Sequence, residues 1–479
     1  EDHGASLSNT ELLDSVVSAP EEKPAADVDS SSCQAAALAL STMTHRYLSK
    51  AGTEPRTGDV DQGRRVRMRV IRAGALVCVV AAIALSAMGR ERNATASAPP
   101  PAPAAASGVP LKGDFSGSGA GTLLSARTMP TLDRRLWEVT SLAARITYAS
   151  TNAFDGTTQV SGTVFVPQGK PPSGGWPIVA YGHSTTGIQS DCAPSLDATL
   201  LNFSTPIAGL VKAGYVVVMS DYQGLGLDQW RHPYLDSTTL GYNIIDSVEA
   251  TRKLVPDASN RWLAFGTSEG AQAAWAANEL APDHAGGLTL VGTVSVSPPA
   301  DINGFADAAA AGTLTPDQMP VLQWILASLK DQYPDLNLDD YRRGIVADKW
   351  DVLSACRGPA AGERAKVASQ ITADDLRPSS PAAVETLRGY LEKSTLPQGP
   401  TAAPMLVMYG GNDALIPPAW TNQALDKACR MGDVIQIQLE PDKGAADIDA
   451  SAADEWINAR FNGDPAQDDC PAVVADHPQ

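Results

Sequence analysis

Positive charge, aromatic side chains and histidine are all scarce in this chain of 479 residues. Lysine and arginine total 36 against 54 acidic residues, which gives a formal net charge of −18, and aromatic residues make up 6% of the sequence. Nucleic-acid binding needs clustered basic side chains opposite the phosphates, so this composition argues against a nucleic-acid partner. The sequence also lacks His-rich tracts and Cys-x-x-Cys pairs. It therefore calls for no metal, and we predict no cofactor.

The apolar run from Ala73 to Met88 is shorter than the roughly 20 residues that a membrane-spanning helix needs. Basic residues precede this run from Met68, and the small residues 94–98 follow it, which is the pattern of a cleaved secretory signal peptide. We therefore predict a secreted or extracytoplasmic protein, with a membrane anchor as the alternative. The predicted segments are a disordered or untranslated extension (1–67), a signal peptide (68–98), a Pro/Ala-rich linker (99–112) and a folded domain (113–479).

Cysteine usage agrees with export. Two of the six cysteines, Cys33 and Cys78, precede the predicted mature chain. The other four are Cys192, Cys356, Cys429 and Cys470. An even number in an oxidising compartment is typical of disulfides, and the sequence alone allows three pairings.

From about Gly113 onward, short apolar runs alternate with helical segments. Several of the runs are continuous and β-branched, as buried parallel strands require. The predicted strands are 145–150, 159–167, 177–182, 215–222, 262–265, 292–296, 405–409 and 434–439, and helical stretches between them include 199–213, 242–255 and 452–461. This alternation predicts an α/β fold with a mostly parallel sheet and helices on both faces.

Residues 299–398 break the alternation, because they contain helical segments and no convincing strand. One segment, Met319 to Leu329, carries apolar residues at helical spacing. An all-helical insertion between two strands predicts a cap over the carboxyl edge of the sheet, where ligands bind in open α/β sheets. The alternative is that these helices only pack on the core.

The stretch RWLAFGTSEGAQAAWAANEL, residues 261–280, predicts a strand, a sharp turn and a helix. Within it, Gly266, Ser268 and Gly270 form the pattern G-x-S-x-G. A serine at the apex of such a turn has a strained backbone, and small neighbours give it room. Ser268 is therefore the candidate nucleophile, and the Glu269 N–H at the start of the helix is a candidate oxyanion donor. The alternative is an ordinary glycine-flanked turn.

Two further loops carry candidate groups. Asp413 comes just after a predicted strand and the residues Gly-Gly-Asn, at the place where an α/β-hydrolase has its catalytic acid. A simple turn residue is the alternative reading of Asp413. The segment YGHSTTG, residues 181–187, follows an earlier strand, where a second oxyanion donor is expected.

Several motifs together resemble the secretory triacylglycerol lipase family, the relatives of Candida lipase A. They are YGHSTTG, CAPS (192–195), SDYQGLG (220–226), HPY (232–234), GTSEG and GGNDALIPP, in this order within about 128–470. The resemblance implies an α/β-hydrolase fold with a helical lid, a Ser-Asp-His triad, ester substrates and two disulfides. By motif, Ser268 resembles the nucleophile, Asp413 the acid, and Thr185 and Thr186 with Glu269 the oxyanion hole.

For the two disulfides that this resemblance implies, we predict the pairs Cys192–Cys356 and Cys429–Cys470. The first would tie the oxyanion loop to the cap, and the second would clamp the segment that carries Asp413 to the end of the chain. Each is expected to contribute about 2–4 kcal/mol to stability.

One position departs from the family. The family histidine lies in a segment resembling K-G-H-x-D, whereas residues 443–447 read Lys-Gly-Ala-Ala-Asp, so that Ala445 occupies its place. Alanine can neither accept the serine proton nor return it to the leaving alcohol. Of the six histidines, only His477 follows Asp413, and it lies in the C-terminal tail, which would not hold a base in register.

Two functions are therefore predicted. The first is a secreted ester hydrolase that acts on lipid or small acyl esters through an acyl-enzyme, is impaired or inactive because of Ala445, and makes transient contact with a lipid interface through its cap. The second is a non-catalytic relative whose capped cleft binds an acyl ligand or a partner.

Overall fold

The structure is a computed structural model, and it describes residues 108–227, 231–450 and 452–476. The predicted extension, the signal peptide, most of the linker and His477 lie outside the described residues. Within the described ranges, every helix falls short of the length and apolarity that crossing a bilayer would require.

A nine-stranded sheet forms the centre of the described chain. Its strands are β1 (Leu123–Thr128), β2 (Thr140–Thr151), β3 (Thr157–Pro167), β4 (Trp176–Gly182), β5 (Val216–Ser220), β6 (Ala258–Thr267), β7 (Thr289–Val296), β8 (Met405–Gly410) and β9 (Ile435–Glu440). The strand order is β1-β2-β3-β5-β4-β6-β7-β8-β9. Strands β1, β2, β3 and β5 pair antiparallel in that order. The remaining neighbours are parallel, which confirms the predicted α/β class.

All eight predicted strands are present, but the prediction missed β1. This edge strand buries only Leu123 and Ala126 among its six residues, so it has neither an apolar run nor strict alternation. Pairing along β1 also involves residues of the predicted linker. Pro110 bridges to Arg127, and the Leu111 N–H donates to Ala126 O at 2.9 Å, so the end of the predicted linker pairs along β1.

The helices alternate with the parallel strands and then cluster between β7 and β8. They are α1 (Arg134–Val139), α2 (Ser204–Lys212), α3 (Ser237–Leu254), α4 (Glu269–His284), α5 (Gly304–Ala311), α6 (Gln318–Gln332), α7 (Gly344–Asp348), α8 (Trp350–Ser354), α9 (Gly358–Ala368), α10 (Pro381–Glu392), α11 (Pro418–Met431), α12 (Ala452–Asn462) and α13 (Cys470–Asp476).

Both faces of the sheet are covered, as the alternation along β4 shows. Ile178 and Ala180 belong to the cluster that α3 and α4 complete. Val179 and Tyr181, which point to the other face, belong to the cluster completed by α2 and α12. Because neighbouring residues of a strand face opposite sides, both sides of this strand are buried under helices.

Helices α5 to α10 form the inserted cap. Its apolar cluster contains the predicted stripe of α6, including Leu322 and Ile325, and also Ile188, Tyr234 and Ile416. These last three residues lie in the loops that follow β4, β5 and β8. The cap therefore rests on loops at the carboxyl ends of the strands, the edge where open α/β sheets bind ligands.

Candidate active site

Ser268 occupies the turn between β6 and α4, with φ 51° and ψ −119°. This positive φ is unfavourable for a residue with a side chain, and it persists only where the surroundings hold it. The Ser268 N–H donates to Val296 O at 2.8 Å, which fixes the turn to the end of β7. Ser268 is partly exposed, so its hydroxyl is not sealed in the core.

The two glycines around Ser268 allow a backbone approach that no side chain would permit. A Cβ at Gly266 would lie 1.9 Å from Gly270 O, and one at Gly270 would lie 2.0 Å from Gly182 O. The start of α4 is thereby pressed against the end of β4, which leads into the YGHSTTG loop. The same packing brings the Glu269 N–H and the loop of the second predicted oxyanion donor to one edge of the sheet.

In that loop, Thr185 Oγ1 is 3.1 Å from the hydroxyl of Tyr234. Thr186 Oγ1 is buried and has no hydrogen-bond partner in the described residues. Burying a hydroxyl without a hydrogen-bond partner costs free energy, and a hydrogen bond to a ligand oxygen would remove that cost.

Asp413 is buried, and its Oδ1 accepts the N–H groups of Leu415 and Ile416 at 2.9 and 3.0 Å. Burial raises the pKa of Asp413 above its usual value, while these two N–H groups oppose the rise. Oδ2 accepts no hydrogen bond from the described residues, so one oxygen of this carboxyl stays available. In a triad this is the oxygen that would orient the imidazole.

Ala445 begins a short 3-10 turn, 445–447, after β9. Lys443 O accepts the Asn412 N–H at 2.9 Å, and Ala445 O accepts the Ser297 hydroxyl at 3.4 Å. Ser297 follows Val296, the hydrogen-bond partner of Ser268. The position at which the sequence predicts the family histidine is therefore tied both to the residue before Asp413 and to the strand end that holds Ser268.

The described histidines are engaged elsewhere. His183 is fully buried, its Nδ1 is 2.8 Å from Ser184 O, and burial lowers its pKa. His284 pairs with Asp246 at 2.8 Å near the far end of α4. His232 Nε2 lies 2.6 Å from Glu269 Oε1, and its Nδ1 lies 2.9 Å from Gln223 O. His232 and His284 are paired with carboxyls, whereas the Nε2 of His183 is buried without a hydrogen-bond partner among the described residues.

The pairing of His232 with Glu269 was not predicted, although both residues stand in motifs. Glu269, directly after the candidate nucleophile, is buried at the start of α4, where a carboxylate needs a partner. The burial of Glu269 is evident only from the structure, so the sequence contained no signal for this pair.

Among the described residues, the one group of three potential metal ligands is Asp191 with Cys192 and Cys356. The two cysteines form a disulfide, so they offer no thiolate. This disulfide and the second one, Cys429–Cys470, are the two predicted pairs.

The sheet order, the strained turn at Ser268 and the inserted helices define an α/β-hydrolase with a helical cap. The chain belongs to the secretory lipase family, whose sequence model matches residues 202–469. It is also similar to a protein of Mycobacterium tuberculosis (strain CDC 1551 / Oshkosh) named as a probable inactive lipase, with 29% identity over 233 residues. That alignment covers 45% of this chain and 49% of the relative, so this chain spans about half the length of that relative.

Two solved structures share the fold at low sequence identity. Candida antarctica lipase A in its closed state is 19% identical with a TM-score of 0.62, covering 77% of this chain and 89% of that chain. The rice cell wall degrading esterase LipA from Xanthomonas oryzae, in a ligand-bound form, is 21% identical with a TM-score of 0.57, covering 75% and 98%.

Proposed function

We propose that the chain is a lipase-like hydrolase of acyl esters that has kept its serine nucleophile and lost the base of its triad. The backbone of Ser268 carries this proposal, because strained residues between a strand and a helix start cluster at active sites, and the Ser268 side chain makes no capping hydrogen bond to α4. Ser268 Oγ attacks the ester carbonyl, the alcohol leaves, and water then releases the acid from the acyl-enzyme. The Glu269 N–H and the Thr185–Thr186 loop stabilise the negative carbonyl oxygen.

Proton transfer is the step that this chain performs poorly. The proton of Ser268 must move to a base and then to the leaving alkoxide, and the methyl group of Ala445 can do neither. One oxygen of Asp413 has no hydrogen-bond partner among the described residues, as expected if its usual partner has been removed. Hydrolysis by the unmodified protein is therefore slow.

The substrate class is acyl esters, including triacylglycerols, reached through transient contact of the cap with a lipid interface. Export through the signal at 68–98 is part of the proposal, and the secretory family and the two disulfides support it. Amino-terminal sequencing of protein recovered from the culture medium tests it. A mature chain that still carries residues 68–98 would contradict a cleaved signal.

Ala445→His is the decisive experiment. In subtilisin, loss of the histidine costs on the order of 10⁶-fold in kcat, while about 10³–10⁴-fold over water survives. We expect the substitution to raise turnover of p-nitrophenyl esters, short and long, by several orders of magnitude. The gain should vanish in the double variant with Ser268→Ala, because triad members act as a unit.

Two outcomes would contradict this proposal. Fast turnover by the parent protein would show that another base operates, and His477 would be the next residue to substitute. No turnover by either protein would favour the second candidate, a non-catalytic relative that binds an acyl ligand or a partner in its capped cleft. Ala445 and the name of the mycobacterial relative favour this alternative. A rise in Tm with fatty acids, in the absence of turnover, would support acyl binding.

A further inference from the structure

Glu269 carries a buried carboxylate on the same residue that supplies a proposed oxyanion donor. Its backbone N–H is the proposed donor, and its side chain is 1% exposed. A buried negative charge so close to a developing oxyanion would oppose the reaction, since charges interact strongly where water is excluded. The one ion-pair partner of Glu269 among the described residues is His232, which is fully buried.

The hydrogen bonds of His232 determine the charge of this pair. Nδ1 lies 2.9 Å from Gln223 O, and a carbonyl can only accept, so Nδ1 carries a proton. Nε2 lies 2.6 Å from Glu269 Oε1, and this contact requires one proton between the two atoms. Whether that proton resides on the imidazole or on the carboxyl, the net charge of the pair is zero.

The surroundings do not replace His232 in this role. Burial lowers the pKa of His183, which disfavours a positive charge on its ring, and burial raises the pKa of both Tyr222 and Tyr234. The other charged groups that face this region are Asp221, Asp236 and Arg364. Two of these are carboxyls, and the arginine lies 4.0 Å over the ring of Trp324 and interacts with Tyr234.

His232 is also fixed in place from several sides. Its backbone carbonyl accepts the hydroxyl of Ser328, on cap helix α6, at 2.7 Å. Its ring stacks with Tyr222 at 5.8 Å and lies 6.2 Å from the ring of Tyr234, whose hydroxyl contacts Thr185. The neutralising group is thus anchored to both the cap and the oxyanion loop.

We propose that His232 is a positioning residue that neutralises Glu269 and so keeps the oxyanion site behind Ser268 free of net negative charge. The proposal rests on the function proposed above. It assigns His232 no contact with the substrate, and its effect on the reaction passes through the charge of Glu269.

The kinetic test compares H232Q, E269Q and H232Q/E269Q in the Ala445→His protein. H232Q retains a side-chain donor but leaves Glu269 charged, so its kcat should be about ten- to a hundredfold below that of the Ala445→His protein at pH 8, with a smaller change in KM. Because the Ala445→His protein also loses its base on acidification, the two are compared at the same pH, and their ratio should approach one as the pH is lowered. E269Q and the double variant have no such charge, and the double variant should recover to within a few-fold of the Ala445→His protein. His284→Gln, which breaks the other histidine–carboxyl pair of α4, is the matched control and should show no such pH dependence.

A loss in H232Q that is independent of pH and is not rescued by E269Q would overturn the proposal, since it would show that His232 matters only for packing. If H232Q does not fold, recovery of folding in H232Q/E269Q supports the charge argument. Failure of both variants to fold would overturn it.

A second measurement separates this inference from the proposed function, because it needs no activity. In the unmodified Ala445 protein, H232Q leaves a lone buried carboxyl that binds its proton more tightly when folded than when unfolded. Between pH 5 and pH 6, the folding equilibrium constant of H232Q should therefore fall by up to about tenfold per pH unit relative to the parent. The H232Q/E269Q variant should lack that slope. If the stability of H232Q and that of the parent change with pH in parallel, the neutral His232–Glu269 pair is refuted, even if the Ala445→His protein is inactive.

Discussion

The backbone strain at Ser268 is offset by contacts of neighbouring residues. A side chain at φ 51° destabilises the fold by on the order of 1–3 kcal/mol. The hydrogen bond from its N–H to Val296 O and the close packing of Gly266 and Gly270 hold the turn. The backbone that carries the proposed nucleophile is thus held in place before any substrate arrives, and such preorganisation favours nucleophilic attack.

The role of Gly270 can be tested by adding a single methyl group. A Cβ there would lie 2.0 Å from Gly182 O, and backbone cannot yield as a flexible side chain can. We expect Gly270→Ala to lower the free energy of unfolding by about 3 kcal/mol. Gly286→Ala is the matched control, because a Cβ at Gly286 meets nothing within 4 Å, and it should change stability by less than about 0.5 kcal/mol. Equal urea midpoints for the two variants would show that the elbow can relax around the methyl group.

Local pattern located Ser268 and could not have located the His232–Glu269 pair. G-x-S-x-G between an apolar run and an alanine-rich helix specifies a turn from neighbouring residues alone. Glu269 and His232 are 37 residues apart, and the route of the chain between them decides which buried groups meet. The same limit applies to Asp413 and Ala445, whose motifs indicate order along the chain but not distance.

At the scale of elements, the return from the cap to the sheet depends on buried carboxyls. Glu279, on α4, accepts the N–H groups of Gln398 and Gly399 at 2.9 and 3.1 Å. Asp433 accepts the Thr401 N–H at 2.8 Å. The segment between α10 and β8 is therefore tied to the core by side-chain acceptors.

Glu279 should make stability depend on pH. Burial, with a smaller contribution from Asp433, raises its pKa from 4.5 to about 7. Between these two pH values, Glu279 holds more protons in the folded protein than in the unfolded chain. The contribution of Glu279 to the free energy of unfolding is therefore greatest at low pH and is lost as the pH rises through 7. The difference in the free energy of unfolding between Glu279→Gln and the parent should therefore shift in favour of the variant by at most about 3 kcal/mol from pH 5 to pH 8. Urea unfolding at the two pH values measures this shift.

Glu392→Gln removes an acidic charge from an exposed position of α10 and serves as the control for this experiment. The same change with pH in both variants would show that overall charge, and not the buried carboxyl of Glu279, causes the dependence.

Element prediction succeeded where burial is strong and failed where it is weak. β4 to β8 are apolar runs buried on both faces, and their pattern was clear in the sequence. β1 is half exposed at the edge of the sheet, and only its pairing with β2 makes it a strand. The predicted helix at 242–255 begins at Ser237 in the structure, because Asp236 caps it by accepting the Thr239 N–H.

At the scale of the whole molecule, the cap and the sheet have separate apolar clusters joined by a covalent link. Cys192 belongs to a cluster of the sheet, and Cys356 lies between cap helices α8 and α9. The second disulfide joins α11 to the start of α13 and encloses β9, the Ala445 turn and α12. The first bridge therefore restrains the lid, and the second restrains the loop that would carry the catalytic base.

These two disulfides should differ in what they contribute. They close segments of 164 and 41 residues, so the first loop is about fourfold longer. Since each doubling of a loop adds about 0.6 kcal/mol of closure entropy, replacing Cys192 and Cys356 by serine should destabilise the protein about 1 kcal/mol more than replacing Cys429 and Cys470. Urea unfolding of the two double variants measures this difference.

Hydrogen exchange should locate the effects, with faster exchange in the cap helices for the first variant and around residues 435–462 for the second. Equal losses of stability would show that loop length does not set the contribution. Faster exchange of the cap in both variants would show that the second disulfide also restrains the lid, so that the two bridges act on one cooperative unit.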